Sequence, residues 1–221
     1  MKERPILFTA TMVRAILEGR KTQTRRIVEP QPEAGLDRME WRLEATGEWD
    51  AYYRNKRRAY TLRRCPYGVP GDRLWVRETF LTRGAGEITC YRADVGPVEA
   101  AGFGAMYGGW KPSIFMPRAR SRITLEITGV RVERLQEISN EDAEAEGIEV
   151  PRCPKCSYTY QDCLRHMDHN LCGEEAPASA VYAYSLLWDS LNAKRAPWSS
   201  NPWVWVLSFN VVKGTSREAD A

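Results

Sequence analysis

The 221-residue chain has little that would place it in a membrane or outside the cell. No run approaches the roughly 18 uninterrupted apolar residues that a membrane-spanning helix needs, which excludes a helical transmembrane protein. The segment Met1-Lys2-Glu3-Arg4-Pro5 offers neither a long apolar stretch nor a small-residue cleavage site, so the expectation is a cytoplasmic chain without a signal peptide. Excess charge is missing too. With 32 Lys and Arg against 29 Asp and Glu the formal net charge is +3, and any attraction to phosphate has to come from local clustering. There are only two histidines, and neither an internal repeat nor a low-complexity tract. Six cysteines in a reducing compartment argue for metal ligation or buried thiols rather than a disulfide framework. The remainder, 43% hydrophobic and 28% charged, suits a soluble globular protein of one or two domains.

The periodicity predicts many short strands and a few helices. Ile6-Leu7-Phe8 reads as a strand, followed by a helix with Met12, Val13, Ile16 and Leu17 at helical spacing, capped at Thr9 or Thr11 and stopped at Gly19. Residues 39–44, 49–53 and 60–62 read as a meander of short strands. The turn Tyr67-Gly68-Val69-Pro70-Gly71-Asp72 leads into an alternating strand, with Leu74 and Val76 on one face and Trp75, Arg77 and Thr79 on the other. Residues 83–112, rich in glycine, read as loop around one strand near Ile88–Arg92. The longest β signal is 121–133, in which Ile123, Leu125 and Ile127 alternate with Arg122, Thr124, Glu126 and Thr128. Ser139 caps a short helix with acidic residues in its first turn, ended by Gly147. A further helix spans about 178–191, and 203–212 closes the pattern as an apolar strand. The fold class is therefore α+β, a small β-barrel with two or three flanking helices and a metal-bearing insertion.

Cys153-Pro154-Lys155-Cys156 is a C-x-x-C knuckle, followed by Cys163, His166, His169 and Cys172. Thiolates and imidazoles at this spacing close a tetrahedral zinc site, and only four of the six bind one ion. Cys153, Cys156, Cys163 and Cys172 are the favoured set, with His169 as substitute. A closed four-ligand site is structural, and this segment has too few large apolar residues to fold without such a staple. A catalytic zinc of the cytidine-deaminase kind would need a histidine, glutamate and paired-cysteine order that the sequence does not have.

Gly19-Arg20-Lys21-Thr22-Gln23-Thr24-Arg25-Arg26 lies on the exit from the first helix, and it is accompanied by Pro70-Gly71-Asp72-Arg73-Leu74-Trp75-Val76-Arg77-Glu78 and by the long strand around Glu126. In this order the three stretches resemble the ASCH (activating signal cointegrator homology) domain of the PUA-like superfamily, in particular ASCH proteins of phages and prophages. The resemblance covers about 5–135 and the closing strand. It implies one PUA-like domain over 1–221 with insertions at about 37–62 and 150–175, the second being the zinc loop. It further implies an RNA- or nucleoside-binding cleft, and some small bacterial members are amidohydrolases acting on N4-acetylcytidine through a lysine, a threonine and a glutamate. The matching positions are Lys21 and Thr24 by motif and Glu126 by its place in the strand pattern, with Glu78 as competitor. Arg20, Arg25, Arg26, Trp75, Arg77 and Glu78 are the candidate substrate contacts.

The residues suit that chemistry. Positive charge around Lys21, from Arg20, Arg25 and Arg26, disfavours its protonated form and brings it toward the range of a useful base. A neutral amine takes a proton from the Thr24 hydroxyl or from water, arginines or backbone N–H groups stabilise the oxyanion, and a glutamate protonates the departing exocyclic amine. The plain alternatives are a solvated basic face or phosphate patch for the arginines, a surface position for Glu126 and core positions for most of the eight tryptophans, with Trp75 and Trp110 as candidates for stacking on a base. The expected partner is thus a modified nucleoside or RNA, with no membrane, and nothing in the sequence points to a specific protein partner. A non-catalytic RNA-binding module is the alternative function, and a phage factor whose zinc loop binds a protein ranks third.

Overall fold

The computed structural model describes residues 1–32, 40–43, 49–52, 58–62, 64–83, 87–106, 108–149 and 179–212. The chain starts with strand β1 (Glu3–Leu7) and helix α1 (Ala10–Leu17). Thr9 caps the helix, its Oγ1 accepting from the Met12 N–H at 3.4 Å. Gly19 follows with φ +75°, the left-handed conformation that turns the chain out of the helix. The exit leads directly into β2 (Gln23–Ile27), so the basic motif is held between a helix end and a strand.

A five-stranded sheet runs in the order β1, β6 (Arg73–Arg77), β9 (Thr124–Arg134), β10 (Trp203–Val211), β2. β1 is parallel to β6, and the remaining pairings are antiparallel. The meander of β3 (Glu40–Leu43), β4 (Trp49–Tyr52) and β5 (Arg58–Leu62) forms a separate three-stranded sheet. β7 (Phe80–Arg83) and β8 (Glu87–Tyr91) pair as a hairpin.

Both faces of the large sheet are covered. One carries Leu74, Val76, Leu125, Ile127, Trp203, Trp205, Leu207 and Phe209 against Phe8 and the buried face of α1. On the other, Val204 and Val206 pack against helices α3 (Asn140–Ala145) and α4 (Ala180–Asn192) through Ala143, Ala180, Tyr184 and Trp188. Burial on both faces explains the near-continuous apolar run of β10.

A bulge in β9 sets which side chains meet α3. Ser208 pairs with Gly129 and Phe209 with Ile127, leaving Thr128 without a partner. The extra residue reverses the alternation: Leu125 and Ile127 point to the first face, but so do Val130 and Val132. Arg131 and Glu133 are thereby aimed at α3.

The architecture is mixed α+β with few helices, and two details differ from the sequence reading. First, no closed barrel is formed among the described residues. β1 and β2 are the sheet's two edges, and a side chain spans the opening: Arg26 Nη2 donates to the Leu7 carbonyl at 2.9 Å. Second, residues read as loop contain helix α2 (Pro97–Met106). Gly102 and Gly104 masked it, although Pro97 at its first position and Glu99 in its first turn are helix-start features. The six candidate metal ligands between 153 and 172 lie outside the described residues.

Candidate functional site

The motif residues converge on α3 rather than on solvent. Lys21 and Glu146 form an isolated antiparallel backbone bridge, and the Thr22 N–H donates to the Ala145 carbonyl at 2.9 Å. Gly147 makes this approach feasible. At φ +86° it has no side chain, and a Cβ placed there would lie 2.8 Å from that of Ala15 and 3.0 Å from that of Lys21.

The backbone bridge brings the side chains together. Lys21 Nζ donates to Glu146 Oε2 at 2.7 Å, to the Glu146 carbonyl at 2.7 Å and to the Gln23 carbonyl at 2.8 Å. Three N–H groups thus meet three acceptors, with Lys21 only 1% and Glu146 only 3% exposed. Burial pulls the Lys21 pKa below its ordinary value, an effect that Glu146 opposes and the nearby Arg26 and Arg25 reinforce.

Arg25 extends the pair into a network. Its Nη1 reaches Glu146 Oε1 at 3.3 Å, and its Nη2 donates to Glu133 Oε1 at 2.5 Å and Asp142 Oδ2 at 2.8 Å. Arg131 closes the set, donating to Glu133 at 2.8 Å, Asp142 at 2.7 Å and Gln23 Oε1 at 3.0 Å. Three cations face three carboxylates, and the Arg25 guanidinium lies 6.0 Å from the Tyr184 ring. Burial alone would weaken the charge on Arg25, but Glu146 and Glu133 outweigh it and hold its pKa above the ordinary value.

Beside this network, between the β1 and β2 edges, is a cleft of about 870 Å³. Phe8 and Arg25 form part of its wall, and Arg26, Tyr67, Thr79 and Ser113 also line it. The Phe8 ring centroid lies 5.6 Å from Lys21 Nζ and 5.2 Å from the Arg26 guanidinium. The Lys21–Glu146 pair is therefore one side chain behind the cleft wall. Arg26 Nη1 also donates to the hydroxyl oxygen of the buried Thr24, at 3.1 Å. Arg195 and Glu29, which also line the cleft, pair with each other.

The expected site residues are dispersed. Lys21, Thr24, Arg25 and Arg26 lie together at or behind the cleft wall. Glu126 is exposed, opposite Arg73 and Asn210 on the adjoining strands, and among the described residues the carboxylate against Lys21 is Glu146. Glu78 is buried and engaged by Arg122, with Nε and Nη2 donating to its two oxygens at 2.9 and 3.0 Å. Arg122 also pairs with Asp94, and burial raises the Glu78 pKa while Arg122 opposes the rise. Trp75 is buried with the guanidinium groups of Arg77 and Arg118 at 5.0 and 6.0 Å from its ring, and Arg77 Nε donates to the Met116 carbonyl. Arg20 is exposed and binds Glu18, Glu149 and the Gly147 carbonyl.

Glu146, Asp142, Glu133 and Phe8 went unrecognised as site residues in the sequence. The available signal was Gly147: a glycine needed for a left-handed turn and a close approach fixes the residue before it. No protein-family model, curated protein or solved structure matches this chain.

Proposed function

We propose that the protein is an amidohydrolase of the ASCH/PUA-like kind that acts on an N4-acylated cytosine nucleoside, with Lys21 and Glu146 as its proton-handling pair. The carrying observation is the 2.7 Å contact between Lys21 Nζ and Glu146 Oε2, buried directly behind a cleft of nucleoside-accommodating size. The mixed α+β fold with its five-stranded sheet is compatible with this reading, and the cleft lies between the two edge strands of that sheet.

A proton passing along that hydrogen bond converts the ion pair into a neutral amine and a carboxylic acid, which is a general base beside a general acid. Burial and the neighbouring guanidinium groups favour the neutral amine. Water attacks the acyl carbon and gives its proton to Lys21. Arg26, fixed on Thr24 and Leu7, is placed to stabilise the oxyanion. As the C–N bond breaks, the Glu146 acid donates its proton to the exocyclic nitrogen. Cytidine and a carboxylic acid leave, and the ammonium–carboxylate pair is restored. Access to the pair requires the Phe8 ring to move aside.

The second reading, a non-catalytic RNA-binding module, is favoured by one observation: all three Lys21 N–H groups are already engaged behind Phe8. The two readings separate on a time course with N4-acetylcytidine and a short panel of N4-acylated cytosines, followed by chromatography. Turnover that disappears in folded Lys21→Ala supports the hydrolase. No turnover on any member of the panel, with wild type folded, supports the binding module. A structural zinc held by Cys153, Cys156, Cys163 and Cys172 completes the proposal and has no part in these steps.

A further inference from the structure

A second groove adjoins the cleft. It has a volume of about 550 Å³ and is lined by Phe80, Thr82, Trp110, Lys111, Phe115 and Arg120, among others. The two hollows share their dividing walls residue by residue. Thr79 lines the cleft and Phe80 the groove, and Ser113 lines the cleft while Pro112 lines the groove. Backbone hydrogen bonds in both directions between Phe80 and Lys111 fix these walls to each other, at 3.2 and 2.8 Å.

The groove combines aromatic surface with positive charge. Phe115 is 69% exposed at its edge. Trp110 lines it, held by an Nε1 bond to the Ala100 carbonyl at 2.9 Å and with the Arg92 guanidinium 5.6 Å from its ring. The groove's two cationic lining residues are Lys111 and Arg120. Among the described residues no carboxylate pairs with Lys111 or Arg120. Gly108 and Gly109, both at positive φ, line the groove with nothing within 4 Å of where a Cβ would stand, which leaves the backbone open to a ligand.

An exposed aromatic ring beside cations and bare backbone is the chemistry that takes a stacked base and its phosphate. We propose that this groove is the subsite for a nucleotide flanking the modified cytidine in single-stranded RNA, so that the substrate is a polymer threaded over residues 112–115 and not a free nucleoside. The inference rests on the hydrolase reading for its substrate, but not for its binding surface.

The test compares free N4-acetylcytidine with an eight-nucleotide single-stranded RNA that has one N4-acetylcytidine at its centre, using wild type, Phe115→Ala and Lys111→Glu. The expected kcat/KM is at least tenfold higher for the oligonucleotide. Each variant should lower the oligonucleotide value about tenfold, the size of one lost stacking or phosphate contact, and leave the nucleoside value within twofold. Fluorescence anisotropy with the unmodified RNA isolates the surface from the chemistry. Weakened RNA binding in both variants without turnover in any protein would sustain the groove and remove the hydrolase. RNA binding and oligonucleotide turnover unaltered in both variants would overturn the groove, whatever the hydrolysis result. A matching DNA that binds as tightly as the RNA would overturn the assignment to RNA.

Discussion

Lys21 and Glu146 meet at two levels, through a backbone bridge and through a 2.7 Å side-chain contact, although 125 residues separate them in the chain. The backbone bridge makes the side-chain contact a consequence of the fold rather than of two flexible side chains finding each other. It also means that whatever shifts the end of α3 shifts the carboxylate.

Gly147→Ala should disturb this arrangement. The added methyl lies within 3.0 Å of Ala15 and Lys21 at a positive φ, and the expected destabilisation is about 2 kcal/mol or more. Denaturant unfolding gives the cost. An unchanged midpoint would show that the close approach is not maintained in solution.

Glu146→Leu removes the carboxylate that faces both Lys21 and Arg25. Two buried cations are then left short of counter-charge, and the expected loss is about 3–5 kcal/mol. The double variant Lys21→Met/Glu146→Leu should recover part of it, and strictly additive costs would contradict a direct pair.

Cys65 gives a pH window. Burial pushes its thiol up to about 11 from an ordinary value near 9. A raised pKa in the folded state means a contribution complete below pH 9 that is lost as pH rises through 11. Stability should therefore decline across that window, and Cys65→Ala should flatten the decline. At the acid end the sign reverses. Burial would raise the Asp142 pKa, but Arg131 and Arg25 more than offset this and hold it below the ordinary carboxylate value. Its contribution is present above about pH 4 and disappears as pH falls through the lowered value, so Asp142→Asn should flatten the acid limb.

Metal analysis of the purified protein should find about one zinc per chain. Cys153→Ser/Cys156→Ser should remove it, and a chelator should lower the melting temperature of wild type only. Wild type without metal would contradict the assignment.

Much of the fold was legible because single residues decided it. Thr9, Gly19, Ser139 and Gly147 mark the ends of α1 and α3, and the alternation of Leu125 and Ile127 orients the start of β9. The site was legible only on its local side. Lys21, Thr24, Arg25 and Arg26 are adjacent in sequence, but the partner of Lys21 depends on two events that no local pattern announces. One is the extra residue at Thr128, which turns Arg131 and Glu133 toward α3. The other is the bare Cα of Gly147. Glu126 fits the alternating strand pattern equally well, yet it is exposed where the strand lies beyond the helices.

The most direct measurement is kcat/KM on N4-acetylcytidine for Glu146→Gln and Glu126→Gln, both checked for folding by circular dichroism. The account predicts a loss of at least a hundredfold for Glu146→Gln and a value within twofold of wild type for Glu126→Gln. Full activity in Glu146→Gln, or its loss in Glu126→Gln alone, would contradict the assignment of Lys21 and Glu146 as the working pair.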